Sequence, residues 1–192
     1  EENIKRVLVL GVGGGTVLHQ LSSLLSPDIM IGIELSEEHI FVAEQYFSLT
    51  QPHIVLHRAD AVAWLKAYQG VAFDLIIDDL YGHDDGEPVR AVPLSEVWVN
   101  TLLSNLSADG VLVTNTVSPE ELNTSSLVAG GEMENSFTSA FRFATPLCHN
   151  AVGAFFKQEV TMNCLRRRIV ATPILEKSER NGLLRFTTRK LL

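Results

Sequence analysis

Residues 7–18 read VLVLGVGGGTVL, and the change of character inside that stretch decides the fold. Val7 to Leu10 continue a β-branched, apolar run from Ile4, which predicts a buried strand. Gly11-Val12-Gly13-Gly14-Gly15 end it. Residues 16–25 (TVLHQLSSLL) then place Val17, Leu18, Leu21, Leu24 and Leu25 at helical spacing. Glycines let the backbone turn sharply and approach a ligand, and a helix N-terminus offers free N–H groups to an anion or polar group. A dinucleotide fingerprint needs a third glycine where Thr16 stands, so that reading fails. A tight strand–helix turn with no ligand is the alternative.

The pattern of strand and helix repeats outward from there. Pro27-Asp28 breaks the first helix, and Ile29–Glu34 reads as a second buried strand ending in an acid. Ser36, with Glu37 and Glu38 behind it, predicts a capped helix over 37–47. Further strands are expected at Ile54–His57, Phe73–Asp78 and Val111–Thr116, with helices at Ala61–Ala67 and Leu94–Leu106, the latter closed by Asp109-Gly110. Residues 118–136 read as loop with a short helix. Arg142–Leu147 and Ala151–Phe156 read as a hairpin across Cys148-His149-Asn150. Leu165–Val170 reads as helix or loop, and Leu183–Thr187 as strand or loop. The alternation implies parallel strands with right-handed crossovers. Five parallel strands closed by a late hairpin predict the Rossmann-like α/β fold of AdoMet-dependent methyltransferases, a seven-stranded, mostly parallel sheet with a C-terminal antiparallel hairpin. Residues 1–192 are expected to form a single domain.

Composition narrows the partners. The 192 residues are 46% hydrophobic and 20% charged, which excludes disordered and low-complexity classes. No apolar run approaches the ~18 residues of a membrane span, so no membrane partner is expected. A net charge of −8 argues against nucleic acid. The charge is uneven: from Lys157 onward nine Lys/Arg face three Asp/Glu, and the Arg166-Arg167-Arg168 run reads as a solvated helix face. Cys148 and Cys164 have no metal or disulfide spacing, so free thiols and a cytoplasmic location are expected. His53 and His57, four apart along a strand, lie ~13 Å apart, and no metal site is expected.

Three strand ends carry candidate chemistry. Glu34 lies about twenty residues past the glycine loop, where an acid can accept both hydroxyl protons of a ribose; a surface acid is the alternative. Asp60-Ala61 follows the third strand, beside the place of an adenine, with Asp60 also suited to cap the next helix. After the fourth strand come Asp78, Asp79, Asp84, Asp85 and Glu87. Five acids at the carboxyl end of a strand suit a cationic substrate; a solvated acidic loop is the alternative. Tyr81 either covers a nucleoside or packs the loop.

At these residues the chain resembles the spermidine synthase-like aminopropyltransferases. VLVLGVGGGTVLHQL is similar to that family's strand and GGGDGGVLRE. GIELSEEHIFVAEQYF is similar to its VEID stretch, HRADAVAWL to its H-x-GDA-x-x-(F/W)-L segment, and FDLIIDDLYG to YDVIIVDSSDP. The match runs from about Val7 to Asp79 and resumes more weakly from Pro93 to Asn115.

The resemblance implies a transferase binding AdoMet or a related thionucleoside, such as decarboxylated AdoMet or methylthioadenosine. Gly11, Gly13, Gly14 and Gly15 would form the donor loop and Glu34 would hold the ribose. Asp60 and Ala61 would sit at the adenine, Tyr81 near the nucleoside, and Asp79 would be the catalytic acid. The partner implied is a small molecule, a cationic amine in the family proper, with a homodimer left open. Two departures fall on the acceptor half: the family's loop Asp is Gly14, and the second acid of D-S-S-D is Gly82. The family's small N-terminal β-domain is expected to be absent, since the first strand opens the chain. A methyltransferase on a small polar or cationic acceptor, and a catalytically silent nucleoside-binding module, are the competing expectations.

Overall fold

The computed structural model describes residues 4–129 and 136–192. In chain order the first half holds β1 (Arg6–Leu10), α1 (Thr16–Leu25), β2 (Ile29–Glu34), α2 (Glu37–Gln45), β3 (Ile54–Arg58), α3 (Ala61–Ala67) and β4 (Phe73–Asp78). A short hairpin, β5 (Tyr81–Asp84) and β6 (Glu87–Arg90), precedes α4 (Glu96–Ser104) and β7 (Leu106–Thr116). Then come α5 (Pro119–Thr124), β8 (Ser139–Ala144), β9 (Ala151–Phe156), α6 (Met162–Ala171), α7 (Pro173–Arg180) and β10 (Thr187–Lys190).

The main sheet runs β10-β8-β9-β7-β4-β1-β2-β3. The strands from β3 to β7 are parallel, and β9 enters antiparallel between β7 and β8. β1 lies near the centre because Val7, Leu8, Val9 and Leu10 are all buried, as a strand covered on both faces requires. Its side chains alternate between two cores. Leu8 and Leu10 pack with Phe73, Ile76, Trp98 and Leu102, while Val7 and Val9 pack with Leu18, Met30 and Ala43. From β1 the chain proceeds outward to β2 and β3, then returns to place β4 on the other side of β1. That reversal opens a crevice at the carboxyl ends of β1 and β4, the place where open α/β sheets bind ligands.

The seven expected strands are present, and an eighth, β10, pairs antiparallel with β8. Three local readings change. The helix expected to reach Leu106 ends at Ser104, and Asp109-Gly110 lies inside β7, where the pairing with β4 is irregular between Phe73 and Leu75. The first strand of the late hairpin is Ser139–Ala144 rather than Arg142–Leu147, and Leu147 is a fully exposed turn residue at positive φ. The stretch read as an acidic loop is the β5–β6 hairpin, turned by Asp85 and Gly86, both at positive φ as a tight two-residue turn demands. The short helix expected with loop over 118–136 is α5, and part of that stretch lies outside the described residues. Cys148 and Cys164 are free and exposed. Among the described residues no helix is long and apolar enough to cross a membrane.

Candidate functional site

The glycine loop is bound on both sides. Gly11 donates its N–H to the Ile33 carbonyl, and Asp79 donates its own to the Leu10 carbonyl, both at 2.9 Å. Gly11 has φ +84, and a Cβ there would stand 2.3 Å from the Asp79 carbonyl oxygen. The two loops therefore touch backbone to backbone, which only glycine permits. Gly13, also at positive φ, faces open space. Gly14 and Gly15 turn toward the far side, where added Cβ atoms would meet Phe47 and Leu49.

A cavity of about 410 Å³ lies across the carboxyl ends of β1, β2 and β4. Gly11, Gly13, Glu34, Asp60, Ala61, Asp79 and Tyr81 all line it, whereas Gly14 and Gly15 do not. Seven of the nine expected positions are thus brought together.

Glu34 is the anchor. It is 8% exposed, and its Oε2 accepts from the Val12 and Gly13 N–H groups at 3.0 and 2.9 Å. Oε1 accepts from the Ser36 N–H at 3.0 Å, with His39 Nδ1 at 3.3 Å. Burial pushes the pKa up, but the three N–H groups and His39 outweigh it, leaving the carboxyl below the ordinary glutamate range. Asp60 caps α3, its Oδ1 accepting from the Ala63 N–H at 2.7 Å. The cap and the cavity position coexist in one side chain.

The end of β4 differs from the expectation. Of the five acids, Asp79 alone lines the cavity. Asp78 is fully buried, its Oδ2 accepting from Arg90 at 2.7 Å and from Trp98 Nε1 at 3.0 Å. Burial raises its pKa against the pull of both donors. Asp84, Asp85 and Glu87 stand exposed at the tip of the β5–β6 hairpin, because the Asp85-Gly86 turn carries them outward. Asp79 Oδ1 accepts from Asn115 Nδ2 at 2.9 Å, and Asn115 Oδ1 accepts in turn from Asn150 Nδ2 at 3.0 Å. The Tyr81 hydroxyl is shielded from solvent and has no hydrogen-bond partner among the described residues. Burial, opposed by Arg90 and reinforced by Asp79, Glu121 and Asp78, pushes its pKa up to about 12. His39, Arg90, Asn115 and Asn150 were not legible as site residues, though the Asp-Gly turn was a signal for the hairpin that carries Arg90.

The profile of the Spermine/spermidine synthase domain matches residues 1–163. The chain belongs to the spermine/spermidine synthase family. It is 30% identical to the polyamine aminopropyltransferase of Vibrio vulnificus over 121 residues, 62% of this chain and 40% of that protein. It is 36% identical to the spermidine synthase of Coffea arabica over 80 residues, 39% of this chain and 25% of that protein. The chain thus spans less than half the length of these curated relatives.

Among solved structures, a probable spermidine synthase from Corynebacterium glutamicum superposes with TM-score 0.73 at 14% identity, covering 100% of this chain and 68% of that one. Human methyltransferase-like protein 13, solved with SAH, superposes with TM-score 0.71 at 19% identity, covering 92% and 82%. These likenesses show the fold, that of class I methyltransferases. Within the family frame, Gly82 stands where a second acid is expected, on β5 with only the Ala91 Cβ near its own missing one.

Proposed function

We propose that this spermidine synthase-like domain binds AdoMet or a related thionucleoside in the cavity between Glu34, Asp60 and Asp79. The observation that carries this reading is the Glu34 carboxylate, charged, nearly buried and fixed by three backbone N–H groups on the wall of that cavity. The adenine lies toward Asp60 and Ala61, whose first-turn N–H groups have no intrahelical partner. The sulfonium tail runs past Gly13 toward Asp79. The bound SAH of human methyltransferase-like protein 13 and the AdoDATO of a solved spermidine synthase support this class of ligand. Glu34→Ala should weaken methylthioadenosine binding about tenfold or more, as loss of charge-assisted hydrogen bonds does. Titration calorimetry on the folded variant checks it, and an unchanged affinity would move the site elsewhere.

Asp79 is the proposed catalytic group. Asn115 holds one of its oxygens, leaving the other to orient an acceptor or take its proton. The acceptor half is eroded relative to the aminopropyltransferases, since Gly82 has no carboxylate and the hairpin acids point outward. That single-acid site favours, as a second reading, methyl transfer to a small acceptor. Turnover of labelled donor distinguishes either transferase from a silent nucleoside-binding module, and the product distinguishes the two transferases.

Donor choice follows from Gly14. AdoMet carries an ammonium and a carboxylate on its tail, whereas the decarboxylated donor carries the ammonium alone. The first turn of α1 has no acidic residue, so its N–H groups favour the carboxylate. AdoMet should bind at least as tightly as the decarboxylated form. Gly14 lies outside the left-handed region, and a Cβ there would be 3.3 Å from the Phe47 ring, on the side turned from the cavity, so an aspartate fits with a small shift of that ring but does not reach the donor tail. Because that side chain would leave the loop on the face away from the cavity, Gly14→Asp should move the preference toward the decarboxylated donor only slightly, by about 0.5 kcal/mol or less, as a charge effect across solvent. Titrations of both donors against both proteins, at two salt concentrations, read this directly. A native preference for the decarboxylated donor would overturn it.

A further inference from the structure

A second cavity, of about 440 Å³, lies between one face of the β8–β9 hairpin and the first turns of α6, and it shares no lining residue with the cavity at Glu34. It arises from how α6 packs. Ile169 is the buried residue of that helix. Leu165 and Met162 precede it by four and seven positions, so they share its face, yet they line the cavity instead of the core. Phe141, Phe143 and Phe156 form the opposite wall, because their strands turn Ala140 and Phe155 into the main core and these rings to the other side. The Phe141 and Phe156 rings meet edge to face at 6.2 Å. An apolar lining and a volume of this order are those of a small-molecule pocket.

The polar groups at its mouth carry a charge preference. Arg168 stands one turn after Cys164 on α6, and both line the cavity. Among the described residues the Arg168 guanidinium has no hydrogen-bond or ion-pair partner. Thr161 caps α6, accepting from the Cys164 N–H and donating to its Sγ, both at 3.3 Å. Those bonds, with the charge of Arg167, hold the Cys164 thiol below its ordinary range. Glu159 is the only acid among the described residues of the lining. Arg166 and Arg167 flank Arg168 on the exposed side of the helix, and the first turn of α6 has no acid. Positive charge therefore prevails at the mouth.

We propose that this cavity binds an amphipathic carboxylate, its apolar body on the three phenylalanines and its head on Arg168. The guanidinium fork matches a carboxylate in two parallel hydrogen bonds, and the flexible Met162 side chain adapts to the shape of the body. This site is independent of the nucleoside reading.

The two exposed cysteines supply the readout, since Cys164 lines the cavity and Cys148 does not. Alkylation of each by iodoacetamide is followed by mass spectrometry, with decanoate, kept below its micelle concentration, as the probe. At about ten times the half-protecting concentration, decanoate should slow the reaction of Cys164 about tenfold and leave Cys148 unchanged. Acetate, a head without a body, and decyltrimethylammonium, the same body with the opposite charge, should protect neither thiol. Arg168→Gln should raise the half-protecting concentration of decanoate about tenfold, with an unchanged urea midpoint because the side chain is exposed. Absence of protection, equal protection of both cysteines, equal protection by the cation, or no change in Arg168→Gln would each overturn the proposal. Protection by phosphatidylglycerol vesicles without protection by decanoate would make this face a membrane contact, and overturns it as well.

Discussion

Arg90→Ala is expected to lower the free energy of unfolding by about 3–5 kcal/mol, the range seen when one partner of a buried ion pair is removed. Arg90 and Asp78 are almost wholly shielded, with side chains 2% and 0% exposed. The guanidinium donates to the Asp78 carboxylate and to the Asn115 and Val92 carbonyls. Its loss leaves a buried charge with Trp98 as its remaining side-chain donor. The sign of the pH dependence follows. The folded pKa of Asp78 is already raised by burial, and without Arg90 it rises further. The folded state then binds a proton that the unfolded state does not, over the window above the ordinary aspartate range. The damage in Arg90→Ala should therefore shrink as the pH is lowered from neutrality into that window.

The companion variant separates charge from packing. Arg90→Met with Asp78→Asn removes both charges, keeps volume at position 90, and preserves an oxygen for Trp98 Nε1. It should recover at least half of the loss, since a buried ion pair replaced by well-packed neutral groups is often close to neutral. Urea unfolding of the wild type, both single variants and the double variant completes the cycle. Additive losses would show that the pair has no coupling and that Arg90 acts through its carbonyl contacts alone. Those contacts also bear on where Asp79 is held in either case. The Asn115 carbonyl held by Arg90 belongs to the residue whose amide holds Asp79, so stability and the position of Asp79 need not recover together.

The legible and illegible parts of this protein divide along sequence distance. Val7–Leu10, the glycine loop, Glu34 and Asp60 were readable because each is a local pattern: a run, a turn, or an acid at a strand end. The folded chain only had to bring parallel strand ends into line, which the topology does without further instruction. Asp78–Arg90 and Asp79–Asn115–Asn150 are bonds between groups 12, 36 and 35 residues apart, and no periodicity relates such partners. Sequence alone therefore groups Asp78 with the acids of a cationic site, although the resembled motif carries an apolar residue there. Nothing local says that a carboxylate will be turned inward to meet an arginine. The last strand, open at Leu183–Thr187 as strand or loop, lies instead at Thr187–Lys190, and its bounds were illegible for a different reason. Thr187-Thr188-Arg189-Lys190 is wholly exposed, so it has no buried face to reveal, and its pairing with β8 places it at the edge. Charged side chains on such an edge oppose further strand pairing.

Gly11→Ala is expected to cost about 2–5 kcal/mol, combining a left-handed backbone penalty with overpacking against a rigid neighbour. The neighbour is what makes this position special in the loop. A Cβ at Gly11 would stand 2.3 Å from the Asp79 carbonyl oxygen and 2.9 Å from its carbon. Both belong to backbone anchored by the Asp79 N–H to Leu10, so no side chain can rotate away to relieve the contact. Gly13 provides the internal control. It too has positive φ, at +51, but a Cβ there meets nothing within 4 Å, so Gly13→Ala should cost only the backbone penalty, about 1–2 kcal/mol. Its methyl would instead occupy space beside the proposed donor tail. Gly14, in an ordinary conformation, should tolerate alanine best of the three in stability. Urea midpoints should thus fall in the order Gly14→Ala above Gly13→Ala above Gly11→Ala. Equal losses at Gly11 and Gly13 would mean that the loops do not touch backbone to backbone. The contact has a functional consequence, because it sets how near Asp79 lies to the glycine loop. A variant that folds with the loops pushed apart should also bind methylthioadenosine more weakly, although it keeps Glu34 and Asp60.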